Sequence, residues 1–170
     1  MGDIALLKKA EVLEADRASF YKHSASKVLH PQGKAVLLRL AAAERRHLKI
    51  LHEQGAFLNN TGDADLSRIE KPAFEELKEE FKESLRANQG DITILEKAVK
   101  LERVDGTFYE SLSRQTNTRN LKRLFKTLEI EEKKHLSLLN KSLKDLKRKG
   151  VVESEARNSR MMFFNFFNRK

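Results

Sequence analysis

The chain has 170 residues, a net charge of +9, 35% charged and 7% aromatic residues, and no cysteine. The missing cysteine excludes disulfides, iron–sulfur clusters, thiolate zinc sites and a thiol nucleophile. Abundant charge with few aromatic side chains is typical of long soluble helices in a single domain, and no stretch is apolar for long enough to cross a bilayer.

The positive charge is concentrated at the C-terminus. Residues 141–170 hold nine Lys or Arg against three Asp or Glu, so +6 of the +9 belongs to this end of the chain. A nearly balanced body is not the electrostatic footprint of a nucleic-acid-binding domain, and we expect no nucleic-acid partner. The N-terminus lacks the apolar core of a secretory signal, which favours a cytoplasmic protein.

A helical hairpin is predicted over residues 3–58. Asp3 is its predicted N-cap, and apolar residues recur at helical spacing to about Val28. Pro31 suits the first turn of a second helix, which stops by the polar segment 59–62.

A crossover connection is predicted over residues 59–90, with a short amphipathic helix that Pro72 opens. A second hairpin follows over residues 91–149. Asp91 is predicted to cap its first helix, and its second helix is predicted to end at Gly150.

The two hairpins form an internal repeat. Residues 11–51 match residues 99–139 at a fixed offset of 88 without a gap, and ten positions are identical. Stacking two such units buries what neither buries alone, and a four-helix bundle with one long crossover is the ferritin-like arrangement. We therefore predict an all-α, ferritin-like bundle over residues 1–149, followed by an amphipathic tail at 150–170.

Six of the identical residues are ionisable although they lie on otherwise apolar helix faces. In each hairpin the two glutamates stand fifteen residues on either side of the turn, so they share one height, about 22 Å from the turn at about 1.5 Å per residue. Each histidine follows a glutamate by three residues and shares its helix face. The six are Glu14, Glu44, His47, Glu102, Glu132 and His135.

Four buried anionic glutamates would be strongly destabilising without counter-charge. Two metal cations would supply it, with the two imidazoles completing the ligand set, and one Glu from two helices plus Glu-x-x-His from the other two is the di-iron carboxylate pattern. The alternative is a degenerate bundle that keeps these residues as buried hydrogen-bond networks.

The repeated Glu-(x)6-Tyr, with Glu-x-x-His 30 residues after the first Glu, resembles the diiron domain of the rubrerythrin branch of the ferritin-like superfamily. The resemblance covers residue 3 to about residue 149. It implies that the six residues ligate two iron ions per subunit, as Fe2+ or Fe3+, with Glu44 and Glu132 as bridges; manganese or a mixed pair of metals is the alternative. It also implies that Tyr21 and Tyr109 hydrogen-bond to ligand carboxylates, although both also suit plain core aromatics beside Phe20 and Phe108.

Two departures from the family bear on the chemistry. The family's extra carboxylate, one turn before the third-helix glutamate, is replaced by Val99, whereas the equivalent position in the first helix is Glu11. The cysteine-rich rubredoxin domain is missing, so electrons for peroxide reduction would have to come from another protein.

The resemblance implies reaction with peroxide or dioxygen, as a peroxidase or ferroxidase in iron or oxidative-stress handling. A membrane-associated diiron hydroxylase acting on a lipid or quinone is one alternative. A non-enzymatic iron-binding or tethering bundle is another.

The tail carries four of the ten phenylalanines within residues 163–167, flanked by basic residues. Leaving so much apolar surface in water is unfavourable, so we expect it to be covered. Packing on its own bundle or within a homodimer or higher homo-oligomer, an anionic membrane surface, and a protein partner are the three alternatives. The remaining histidines, His23, His30 and His52, are predicted to be surface or turn residues.

Overall fold

The structure is a computed structural model that describes residues 2–59 and 90–167, with the side chains of 2–58 and 90–148. These ranges hold no strand and four helices, so the all-α prediction is confirmed. The predicted crossover and its Pro72 helix lie, apart from the two ends of the segment, outside the described residues. The helices are α1 (Asp3–Lys27), α2 (Pro31–Asn59), α3 (Asp91–Gln115) and α4 (Arg119–Phe167).

Each pair of consecutive helices forms an antiparallel hairpin. Helix α1 packs along α2, and α3 packs along α4. Pro31 is the first residue of α2, as predicted. The backbone N–H groups of a first helical turn have no acceptor within the helix, so proline, which has no N–H, suits this position. The second turn, at residues 116–118, also falls where the sequence placed it.

The predicted end of the last helix was wrong. Helix α4 continues through Gly150 to Phe167. A glycine inside a helix costs only about 1 kcal/mol relative to alanine, and no proline follows to stop the helix. The side chains from residue 149 onward lie outside the described part, so the division into bundle and tail and the packing of the phenylalanines stay predictions.

The predicted N-caps were also wrong by one residue. Gly2 and Gly90 occupy the N-cap positions of α1 and α3, and neither helix has a side-chain cap. Asp3 and Asp91 are the first helical residues, where a negative charge favours the helix N-terminus.

Both aspartates reach across to the turn of the opposite hairpin. Asp91 accepts hydrogen bonds from the backbone N–H groups of Leu29 (3.0 Å) and His30 (2.5 Å). Asp3 accepts hydrogen bonds from two threonine hydroxyls of the second turn, those of Thr116 (2.7 Å) and Thr118. The first aspartate of each hairpin therefore binds the turn of the other hairpin, and the two contacts lie at opposite ends of the bundle.

The described residues pack into two separate apolar clusters. One contains Tyr21, Ala25, Val28, Val36, Leu37, Leu40, Ala41, Ile94, Leu95, Ala98, Leu139 and Leu146. The other contains Leu6, Leu7, Ala10, Leu13, Leu51, Tyr109, Leu112, Leu121, Phe125 and Leu128. Each lies near one of the two turns, and polar side chains fill the middle of the bundle between them.

Candidate metal centre

The structure brings all six predicted ligand residues together in the polar layer between the two apolar clusters. The four glutamates and His47 are buried, and His135 is partly buried. Each helix contributes its glutamate at the same height in the bundle, as the residue counts from the two turns predict.

The six residues form two overlapping groups, each with ligand atoms within 4.8 Å of one another. Glu44 and Glu132 belong to both groups, which fits the predicted bridging positions. The ligand roles themselves stay predictions. The first group is Glu14, Glu44, His47 and Glu132; the second is Glu44, Glu102, Glu132 and His135.

Both imidazoles turn Nδ1 toward the carboxylates. His47 Nδ1 lies 3.1 Å from Glu44 Oε2 and 3.3 Å from Glu132 Oε1. His135 Nδ1 lies 3.3 Å from Glu44 Oε1 and 3.0 Å from Glu132 Oε2. The two rings are stacked, with centroids 5.5 Å apart. Each imidazole therefore faces both shared glutamates.

Among the described side chains, most of the buried polar atoms that lack a hydrogen bond belong to this cluster. Buried polar groups normally have a partner, so an unpaired set in one place indicates a missing ligand. Carboxylate oxygens with an imidazole nitrogen are donors that suit a divalent first-row metal, and the residues present therefore fit a metal pair. The unpaired atoms are Glu14 Oε2, Glu44 Oε1, His47 Nδ1, Glu102 Oε2 and Glu132 Oε1.

In the metal-free protein, protons take the place of cations. Burial raises the pKa of Glu14 and Glu102. Burial also opposes ionisation of Glu44, but the two imidazoles beside it lower its pKa to about 2. Burial lowers the pKa of His135, yet the surrounding glutamates raise it to about 12, and the pKa of His47 is raised for the same reason.

The two tyrosines hydrogen-bond to glutamates of the opposite hairpin. Tyr21 Oη donates to Glu102 Oε1 at 2.5 Å, and Tyr109 Oη donates to Glu14 Oε1. Burial raises the pKa of both phenols, so they act as neutral donors. Their rings also make edge contacts with Phe20 and Phe108, as the core-aromatic interpretation expected.

A buried ion pair beside the cluster was missed by the sequence reasoning. Arg17 donates to Asp105 from Nε at 2.5 Å and from Nη2 at 2.7 Å. Burial raises the pKa of Asp105 to about 6, although Arg17 acts in the opposite direction. The two positions are related by the 88-residue offset, so opposite charges at equivalent positions were the available signal.

A second missed residue is Glu131, whose carboxylate contacts one of the imidazoles. Its Oε2 lies 2.8 Å from His47 Nε2, on the side of the ring away from the cluster. Because position 43 of the first hairpin is alanine, a search for identical pairs overlooks it.

The carboxylate that distinguishes the two hairpins, Glu11, lies one turn before Glu14. It accepts a hydrogen bond from Lys8 Nζ at 2.5 Å and lies 3.6 Å from His52 Nδ1. The equivalent Val99 packs against the apolar core. His23 and His52 are exposed and His30 lies at the turn, as predicted.

Within the described ranges, no helix combines the length and apolarity that a membrane span requires.

Comparison with known proteins supports the predicted family. Rubrerythrin, a ferritin-like diiron family, matches residues 93–166, which include Glu102, Glu132 and His135. The fold resembles that of a hypothetical protein from Pyrococcus furiosus, with 20% identity, a TM-score of 0.65, and coverage of 87% of this chain and 92% of that one. No curated protein is significantly similar. The predicted resemblance is thus confirmed over the second hairpin.

Proposed function

We propose that the protein is a diiron-carboxylate oxidoreductase that reacts with peroxide or dioxygen. The observation that carries the proposal is the pair of overlapping ligand groups that share Glu44 and Glu132. One iron would be held by Glu14 and His47 with the two shared glutamates, and the other by Glu102 and His135 with the same two. When bound, each iron would pass between Fe2+ and Fe3+, so the pair would supply the two electrons that convert peroxide to water.

The charges of the ligand set support this assignment. Four ionised glutamates and two neutral imidazoles carry four negative charges, which two divalent cations balance. A neutral centre avoids the large cost of isolated charge in a low-dielectric core. Manganese, or one manganese with one iron, satisfies the same balance.

The surrounding residues position the ligands and limit access of water. Tyr21 and Tyr109 each hold one oxygen of Glu102 and Glu14, which leaves the other oxygen of each carboxylate for a metal. The two apolar clusters close the centre from both ends of the bundle. A dry, preorganised site strengthens every charge interaction within it.

The 170 residues contain no cysteine that could hold a rubredoxin-type iron, so the electrons for peroxide reduction would come from a donor outside these residues. Oxidation of Fe2+ by dioxygen requires no such donor. The choice of oxidant therefore separates a peroxidase from a ferroxidase.

Anaerobic loading with Fe2+ tests the proposal. We expect two irons per chain and a rapid rise in ferric absorbance when peroxide or air is added, the faster oxidant indicating the activity. A Glu44→Ala/Glu132→Ala variant should bind neither iron. Glu129→Ala is the matched control, since it removes a buried α4 carboxylate that pairs only with lysines in the described contacts. A wild-type chain that binds no metal would refute the proposal, and bound iron that neither oxidant changes would indicate a non-enzymatic iron-binding bundle.

A further inference from the structure

The two imidazoles of the centre are held differently. His47 has Nδ1 against the carboxylates and Nε2 at 2.8 Å from Glu131 Oε2. Its side chain is 3% exposed, whereas that of His135 is 12% exposed. His47 is therefore the more buried of the two imidazoles, and its far nitrogen contacts a carboxylate.

The internal repeat supplies no counterpart of this support for His135. The residue equivalent to Glu131 in the first hairpin is Ala43, which lies 88 positions earlier and is 4% exposed. A methyl group has no acceptor to offer. The six ligand residues are identical across the repeat, but the residue that contacts the far nitrogen of His47 is not: it is Glu131 in one hairpin and Ala43 in the other.

A carboxylate on the far nitrogen changes what the near nitrogen does. It accepts the Nε2 proton, fixes the tautomer that leaves the Nδ1 lone pair toward the metal, and raises the basicity of that lone pair. Removal of such a partner typically weakens metal binding by about 10–100-fold. With a side chain 41% exposed, Glu131 is partly screened by water, which favours the lower end of that range.

We infer that Glu131 is a positioning residue that makes the two metal positions unequal. The position of Glu14 and His47 binds its metal first, and the position of Glu102 and His135 binds second. This inference rests on the proposed two-metal function.

Titration of the metal-free protein with 113Cd2+, followed by cadmium NMR, resolves the two positions. We expect one resonance to grow through the first equivalent and a second to grow only through the second equivalent. A His47→Ala variant should lose the first resonance, and His135→Ala the second. Repulsion between two cations also separates the steps, but repulsion alone does not decide which position fills first.

Variants at position 131 supply the decisive comparison. Glu131→Ala should weaken the first position by about tenfold or more, so that both resonances grow together from the start of the titration. Glu131→Gln, which keeps an acceptor but not the charge, should restore part of the order. Glu96→Ala is the control, because it removes a carboxylate of similar exposure, 44%, that pairs with Lys147.

The possible results separate this inference from the proposed function. Two resonances that grow together in the wild type, or an order that Glu131→Ala leaves unchanged, would overturn the inference while leaving the metal centre intact. A chain that binds no cadmium would overturn the metal centre and the inference together.

Discussion

The two hairpins carry identical residues where each donates a hydrogen bond to a carboxylate of the other. They carry different residues where a position in one hairpin contacts the equivalent position in the other. Tyr21 bonds to Glu102 just as Tyr109 bonds to Glu14, so one contact occurs twice. At the offset pair Arg17 and Asp105 the residues have opposite charges. Two like charges brought together in a core would repel, so where equivalent positions of the two hairpins contact each other the residues must differ.

The repeat extends further than the ligand residues alone indicate. Asp3 and Asp91 are also identical across the offset, and each reaches the turn of the opposite hairpin. A contact that occurs once in each hairpin requires identical or similar residues at the equivalent positions. A contact between two equivalent positions occurs only once and requires complementary residues, such as Arg17 and Asp105. This distinction orders the expected effects of mutations.

The largest effect is expected at the Arg17–Asp105 ion pair. Arg17→Met should leave Asp105 buried without its partner and destabilise the metal-free protein by about 3–5 kcal/mol. The free energy of unfolding in urea measures this loss. Removal of the exposed Lys147–Glu96 pair by Lys147→Ala is the control and should cost less than about 1 kcal/mol.

An exchange of the two charges sharpens the same test. Because the positions are equivalent, Arg17→Asp/Asp105→Arg should recover most of the stability that either single change loses. If the exchanged variant is no more stable than the two single variants, the surroundings of positions 17 and 105 are not equivalent. The interpretation of this pair as a contact between equivalent positions would then be wrong.

The sequence predicted what depends on helical periodicity and on distance from a turn. The heights of Glu14 and Glu44 followed from residue counts, and the turn at Pro31 followed from proline's missing donor. The contacts of Arg17 and Glu131 did not follow, because they depend on which side chains the packed hairpins bring together. Sequence identity between the repeats identified contacts made twice and overlooked contacts made once.

A second effect comes from the loss of one metal position at a time. Glu14→Ala and Glu102→Ala should each reduce the metal bound from two ions to one, because each changes a ligand found in only one group. At a metal concentration about 100 times the dissociation constant, loss of one bound ion should remove about 2.7 kcal/mol of stabilisation. Thermal unfolding with and without metal measures it. A variant that loses both ions would show that the two positions are not separable.

The tyrosines should give the same, smaller effect in both hairpins. Tyr21→Phe and Tyr109→Phe each remove one buried hydrogen bond to a glutamate, at an expected cost of about 1–3 kcal/mol in the free energy of unfolding. Phe20→Leu, beside Tyr21 but without a hydroxyl, is the control for ring packing. Unequal losses in the two variants would contradict the reciprocal hydrogen bonding.

The last effect is on metal affinity rather than on folding, and it is a dependence on pH. The pKa of His135 is raised to about 12 and that of His47 is also raised, so at pH 7 both imidazoles carry a proton that a metal must displace. Since folded pKa values lie above the working pH, affinity should increase as pH rises from 6 to 7.5, by roughly tenfold per pH unit for each proton released, or about 1.4 kcal/mol. Calorimetry in two buffers of different ionisation enthalpy counts the protons. At least one should be released at each position, because both histidines face the same shared glutamates. Binding without proton release would mean that neither the imidazoles nor the glutamates hold a proton that the metal must displace, and it would contradict this prediction.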